Sequence, residues 1–267
     1  MRVKLINKEE VQNFYERWGQ FACKCYNTNP KYAKNVGKKC HSTRHYSGSR
    51  AFYFIFEIED VPRSAIDQLV RHEQGVIKNI QSQRYTDSSE LGWYVPDVIA
   101  KYPDLKRVWD AGFKEDSEDY KYIVEQLAQL EGWTGEKARE VARGRLGIDI
   151  YSSGTIGFTI EALEHFMHKR LCFRAQEAIR KLANLIKEAI IAELPEISKY
   201  LVAECFAVGY CPENDMQCSE FADSAIPTKD IFDVIRKTPE FKRMVIENKE
   251  LRKAAKEAAE KAKSNKR

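Results

Sequence analysis

The sequence predicts an α+β fold: a single helix-rich domain with a small antiparallel sheet, followed by a C-terminal helical tail. Three observations carry this. Apolar residues recur at helical spacing through most of the chain, beginning with Val11, Phe14, Tyr15, Trp18 and Phe21. One segment, residues 51–59 (AFYFIFEIE), reads instead as a strand, aromatic and β-branched, with Phe52, Phe54, Phe56 and Ile58 on one face. The 267 residues, 43% of them hydrophobic, suffice for one large core. They carry neither a GxGxxG nor a Walker pattern, so a Rossmann or P-loop nucleotide site is not expected.

In chain order, residues 8–24 read as the first helix, and the polar 25–50, rich in Asn, Lys, Gly and Ser, as loop. After the strand at 51–59, Pro62 opens a helix running to about His72. Gly75 and the stretch to Tyr85 predict a turn and an extended segment. Helices follow at 117–130 and 136–146. Residues 148–158, with two Gly and several Ser, read as a connector. A helix pair is expected at 159–171 and 174–193, ending before Pro195; 205–227 reads as loop and 231–237 as a short helix. The Ala/Lys/Glu-rich segment from Pro239 to 263 favours helix. The domain reading is therefore 1–227 for the folded body and 228–267 for a basic helical extension.

Charge narrows the function classes. The formal net charge is +4, but residues 248–267 hold eight basic residues against three acidic ones, which leaves 36 basic and 37 acidic in the rest. The basic excess belongs to the tail, which weakens the case for a nucleic-acid groove in the body. No apolar run reaches the ~20 residues of a spanning helix, and no secretory h-region follows the start, so a cytoplasmic protein with reduced thiols is expected. Cys205, Cys211 and Cys218 are spaced too widely for a usual zinc knuckle, and Glu161, His165 and His168 lack the HExxH order; no metal site is expected. GxSxG is absent too, against a serine hydrolase of the α/β type.

What remains are anion-binding groups. On the helix after Pro62, Ala65, Ile66, Leu69 and Val70 form one stripe, while Gln68, Arg71 and His72 project from the opposite face at i, i+3 and i+4. Gln81, Ser82, Gln83, Arg84 and Tyr85 follow shortly. Two arginines with Ser and Gln donors suit an oxyanion or phosphate, because the Arg fork matches phosphate geometry. Arg139, Arg143 and Arg145, and the pair Arg170 and Arg174, form a second basic group, which by itself reads as a solvated face.

These residues, taken in order, resemble a known family. Phe54-Ile-Phe56-x-Ile58 leads to Gln68-Leu-Val-Arg71-His72 and then Asn79-x-x-Ser82-Gln83-Arg84-Tyr85; this is similar to the flavin-dependent thymidylate synthases, whose signature is Arg-His-Arg, seven residues, then Ser. His45-x-Ser47, Ala142-Arg143-x-x-Leu146 and Phe166-x-x-x-Arg170 followed by Ala175-Gln176 match further segments, so that the similarity covers about residues 20–200. The resemblance implies the flavin-dependent thymidylate synthase fold and a homotetramer with active sites shared between subunits. It implies FAD, NADPH as reductant, methylenetetrahydrofolate as carbon donor and dUMP as substrate; hydropathy and charge, separately, point to no membrane partner and against a nucleic-acid one. By position, Gln68, Arg71, Ser82, Gln83, Arg84 and Arg143 would hold dUMP; Arg170 would contact the uracil ring and favour its ionised form. His45, Ser47, Arg71, His72 and His165 would contact FAD. Such chemistry needs no protein nucleophile, in keeping with a residue set that offers anion binding and no nucleophile–base pair.

The sequence departs from the pattern at defined points. Glu73 stands where the third signature Arg would be, and one extra residue separates His72 from Ser82. Ile80 replaces a Glu, Arg50-Ala51 a Glu-His, and Gly147 a Pro; Thr159, Glu161 and His165 replace Asn, Arg and Asn. Glu73 reverses a charge beside a pyrophosphate, which weakens FAD binding unless Lys78 or another cation compensates. Ile80 and the extra residue raise two alternatives: hydroxymethylation, or dCMP as substrate. From a different class, the basic tail could serve a non-catalytic nucleic-acid-binding protein.

Overall fold

The computed structural model describes residues 1–213, 218, 233, 236–240 and 243. Two compact units divide the chain, Met1–Ala203 and Glu204–Arg267. The expected boundary at 227 and most of the expected extension 228–267 lie outside the described residues, as does most of the helix expected at 231–237.

The first unit is built on a four-stranded antiparallel sheet of β1 (Arg2–Leu5), β2 (Phe54–Pro62), β3 (Val76–Ile80) and β4 (Tyr151–Phe158), in the order β1-β2-β4-β3. In β2 the residues Phe54, Phe56, Ile58 and Val61 are buried, and Glu57 is exposed, the alternation of a sheet with one covered face. A bulge between Ile58 and Val61, with Asp60 at φ 54°, shifts the register before Pro62.

Helices cover the apolar face. α1 (Lys8–Gln12) and α2 (Phe14–Cys25) split the single helix expected at 8–24 at Asn13. α3 (Ala33–Ser42) packs on α2, correcting the loop reading of 25–50. Its buried side is Ala33, Gly37, Cys40 and His41, small or polar residues without a large aliphatic or aromatic side chain to mark a stripe. α4 (Arg63–Leu69) follows β2 directly. Next come α5 (Asp97–Ala100), the 29-residue α6 (Pro103–Glu131), α7 (Gly135–Ala142), α8 (Ile160–Arg170) and α9 (Glu177–Ile191). α6 begins well before the 117 expected, because it buries little: Tyr120 is its one buried residue among those described. The second unit contributes α10 (Glu204–Val208), where loop was expected.

The largest correction concerns 148–158, expected as a connector. It contains β4, a central strand paired on both sides. Its glycines mislead because they mark close backbone approach: a Cβ on Gly154 would lie 2.4 Å from the carbonyl oxygen of Asn79 and 2.9 Å from Ile80 Cα in β3. Ile156 and Phe158 still reach the core with Leu69, Leu163, Phe166, Ile179 and Ile186. No described helix is long and apolar enough to cross a membrane.

Candidate active site

α4 is started by Pro62 in extended conformation and ends at Leu69, so Arg71 and His72 emerge from the turn beyond it rather than from its last coil. Gly75, at φ 69°, then turns the chain into β3. Opposite this turn lies α8, whose first coil is capped by Thr159: its Oγ1 accepts from Ala162 N at 3.3 Å, while Thr159 N donates to Gly75 O at 2.9 Å. Between the turn and α8 opens a cleft of about 870 Å³, within the range of small-ligand sites. Its cations are Arg50, Arg71, Lys169 and Arg170, its imidazoles His72 and His165, and its carboxylates Glu73 and Glu161.

Arg170, at the C-terminal end of α8, is held on three sides. Its Nε donates to His72 Nε2 at 3.1 Å, Nη1 to Gln68 Oε1 at 3.0 Å and Nη2 to the Gln68 carbonyl at 3.3 Å. Of the five guanidinium N–H groups three are thus committed, leaving one on each terminal nitrogen for a ligand. Gln68 in turn donates its amide to Gln176 Oε1, which fixes the amide so that its oxygen faces Arg170. Burial, then the charges of Arg170, His165 and Lys78, push His72 down to about 4. His72 is therefore neutral near pH 7, accepts from Arg170 through Nε2 and carries its proton on Nδ1. His165 and Phe166 flank it at ring distances of 5.7 and 5.2 Å. At the other wall, Arg50 donates to Glu161 at 3.1 and 3.2 Å, so the exposed Glu161 is neutralised by a cation of the same cleft. Lys78, one of the cations that could compensate for Glu73, donates to the carbonyls of Val70 and His72 at 3.0 and 2.8 Å.

The remaining residues expected at the site lie elsewhere in the chain. Ser82 and Gln83 sit in the wound segment after β3, where Ser82 Oγ accepts from Arg84 N at 3.3 Å. Arg84 is clasped by two α7 carboxylates, Glu136 at 2.9 Å and Glu140 at 3.0 Å, while Arg139 donates to its carbonyl at 2.7 Å. The Nε of Arg84 is buried without a partner. Arg143 is exposed in the turn after α7. His45, bonded through Nδ1 to the Tyr26 hydroxyl at 3.0 Å, lines a separate, mostly apolar cavity of about 470 Å³ together with Val36 and Cys40; Ser47 is exposed in the turn after it. The structure thus brings together Gln68, Arg71, His72, His165 and Arg170, and places Ser82, Gln83 and Arg84 after β3, Arg143 in the turn after α7, and His45 and Ser47 before β2. Reading from the sequence assigns no role to Gln176, although it falls in a matched motif, nor to Glu161 as the partner of Arg50.

Fold and cleft define a class: an α+β protein whose cleft is lined by four cations, two imidazoles and two carboxylates. The profile of the thymidylate synthase complementing protein family matches residues 7–196, and the chain belongs to this family. It is 35% identical over 162 residues to a flavin-dependent thymidylate synthase of Nitratidesulfovibrio vulgaris, a match covering 61% of this chain and 65%, less than two thirds, of that protein. A second flavin-dependent thymidylate synthase, from Clostridium tetani, is 30% identical over 177 residues, covering 64% of this chain and 70% of the relative. Among solved structures, flavin-dependent thymidylate synthase ThyX from Helicobacter pylori, complexed with FAD and dUMP, shares the fold with a TM-score of 0.54 at 18% identity; the match covers 77% of this chain and 99% of that one.

Proposed function

We propose that the protein converts dUMP to dTMP by reductive methylation, with methylenetetrahydrofolate as carbon donor and FAD reduced by NADPH. The observation that carries this reading is Arg170: a guanidinium fixed by Gln68 and His72 in the lining of the cleft beside Arg71, with one N–H left on each terminal nitrogen. Such a fork suits the edge of a pyrimidine ring and stabilises negative charge that develops there. Neutral His72 adds no further positive charge to that of Arg71 beside it.

The cleft suits FAD as well. Arg71 offers charge to a pyrophosphate, and His72 and His165 offer flat faces to a ring system. When bound, FAD supplies the hydride; the chain's own residues bind, orient and exclude water. Gln68, Arg71 and Arg170 would hold the base, and His72, His165 and Arg71 the flavin.

Ser82, Gln83, Arg84 and Arg143, together with His45 and Ser47, would complete sites of other subunits in a homotetramer. Supporting this is the exposed apolar surface of α6, with Leu105, Val108, Tyr122 and Leu130 all at least half exposed. The test is incubation of the protein with dUMP, methylenetetrahydrofolate, NADPH and FAD, with mass analysis of the nucleotide. A product 14 mass units above dUMP, as expected for replacing one ring hydrogen by methyl (about the mass of one CH₂), supports the reading; no product and no flavin uptake refutes it. Mixing inactive Arg84→Ala and Arg170→Ala proteins under subunit exchange restores part of the activity if sites are shared, and none if each subunit holds a whole site.

A further inference from the structure

We propose that Lys78 is a positioning residue for the cleft: by clamping the carbonyls of Val70 and His72 it fixes the turn from which Arg71 and His72 project. The placement is specific. Lys78 lies on β3 opposite Ile156 of β4, so its backbone is anchored in the sheet. Its half-buried side chain crosses to the end of α4, and Nζ donates to Val70 O at 3.0 Å and to His72 O at 2.8 Å. A helix end leaves its last carbonyls without helical partners and carries partial negative charge, which a cation satisfies twice over. Here the outgoing carbonyl of Gln68 is taken by Arg170, and those of Val70 and His72 by Lys78. Beyond these, backbone bonds hold the turn at its two ends: Val70 N to Ile66 O at 2.9 Å and His72 N to Leu69 O at 3.0 Å on the α4 side, and Thr159 N to Gly75 O at 2.9 Å on the β3 side.

The consequence for His72 is electrostatic as well as geometric. The groups facing it are Arg170 and His165 from α8 and Lys78 from β3, with Arg71 and Glu73 as its own neighbours in the turn. Burial is the main reason His72 resists protonation; Arg170, His165 and, least of them, Lys78 add to it, so Lys78 makes a small contribution to keeping His72 an acceptor for Arg170. Its ammonium is thereby spent on the protein's own backbone and does not stand in for the Arg that Glu73 replaces.

The experiment compares Lys78→Met and Lys78→Arg in the full-length chain. The first readout is the titration of the His72 ring by NMR in ligand-free protein. The second is dUMP affinity by calorimetry, and the third is the thermal midpoint. In Lys78→Met the His72 titration is expected to move upward toward the ordinary imidazole value, and dUMP to bind about tenfold or more weakly. Lys78→Arg, whose fork can reach both carbonyls, is expected to recover most of both. If Lys78→Met lowers the midpoint but leaves the His72 titration and dUMP affinity unchanged, Lys78 only stabilises the fold and the proposal is overturned. Should Lys78→Met not fold, Lys78→Gln is read by the same criteria. The affinity arm rests on the dUMP reading; the titration does not, so a wild type that ignores dUMP refutes the function and leaves the positioning test standing.

Discussion

Gly75→Ala tests how the cleft wall is built. Gly75 sits at φ 69°, where a non-glycine residue costs about 1–2 kcal/mol. Its new Cβ would lie 2.4 Å from Thr159 Oγ1 and 3.2 Å from Ala162 Cβ, the first well inside any real contact. Relief requires Thr159 to rotate, and that breaks the cap on Ala162 N at the start of α8, worth about 1 kcal/mol. The sum, about 2–3 kcal/mol, corresponds to a fall in thermal midpoint of about 5–10 °C for a unit of this size. A double-mutant cycle with Thr159→Ala, read by urea unfolding, isolates the clash. Thr159→Ala already lacks both the cap and the obstructing oxygen, so adding Gly75→Ala to it should cost about 1 kcal/mol less than in the wild type. Strict additivity, or a Gly75→Ala protein within 0.5 kcal/mol of wild type (about the scatter of such cycles), would show that this contact does not shape the turn.

Three further outcomes are expected. Arg170→Lys keeps a positive charge but loses the fork that spans Gln68, His72 and the ligand, so dUMP affinity measured by calorimetry should fall about tenfold to a hundredfold. His41 is buried between Glu164, to which it is directly hydrogen-bonded, and Tyr15, whose hydroxyl lies 2.7 Å from its Nδ1; Tyr46 donates to the other Glu164 oxygen at 2.6 Å. His41→Leu leaves that carboxylate buried with one partner fewer, and chemical denaturation should show a loss of about 3–5 kcal/mol. Because folding lowers the pKa of His72 from 6.5 to about 4, its contribution to stability is complete above the unfolded value and is lost as the pH falls from 6.5 toward 4. Wild type should therefore lose stability over that window relative to His72→Gln, and parallel curves in urea titrations would contradict the assignment.

Much of this protein is determined by its sequence alone. The family follows from ordered short motifs, and α4, α8, α9 and β2 follow from local periodicity, since their buried stripes are made of residues whose apolar character shows in the string. Arg71, His72, His165 and Arg170 were legible as one site through their motif positions, and the cleft does collect them.

Other features exist only through contacts between residues distant in sequence. β4 carries glycines because β3 lies against it, which makes a central strand read as a connector. α3 hides because Gly, Cys and His form its buried side. Arg84 reads from its motif position as a phosphate ligand; that α7 lays Glu136 and Glu140 on it, 52 and 56 positions away, shows only in the fold. Lys78 reads as a cation for a cofactor until the end of α4 claims it. Periodicity reports which face of an element is apolar, but a charged side chain's partner is set by which element the fold packs against it.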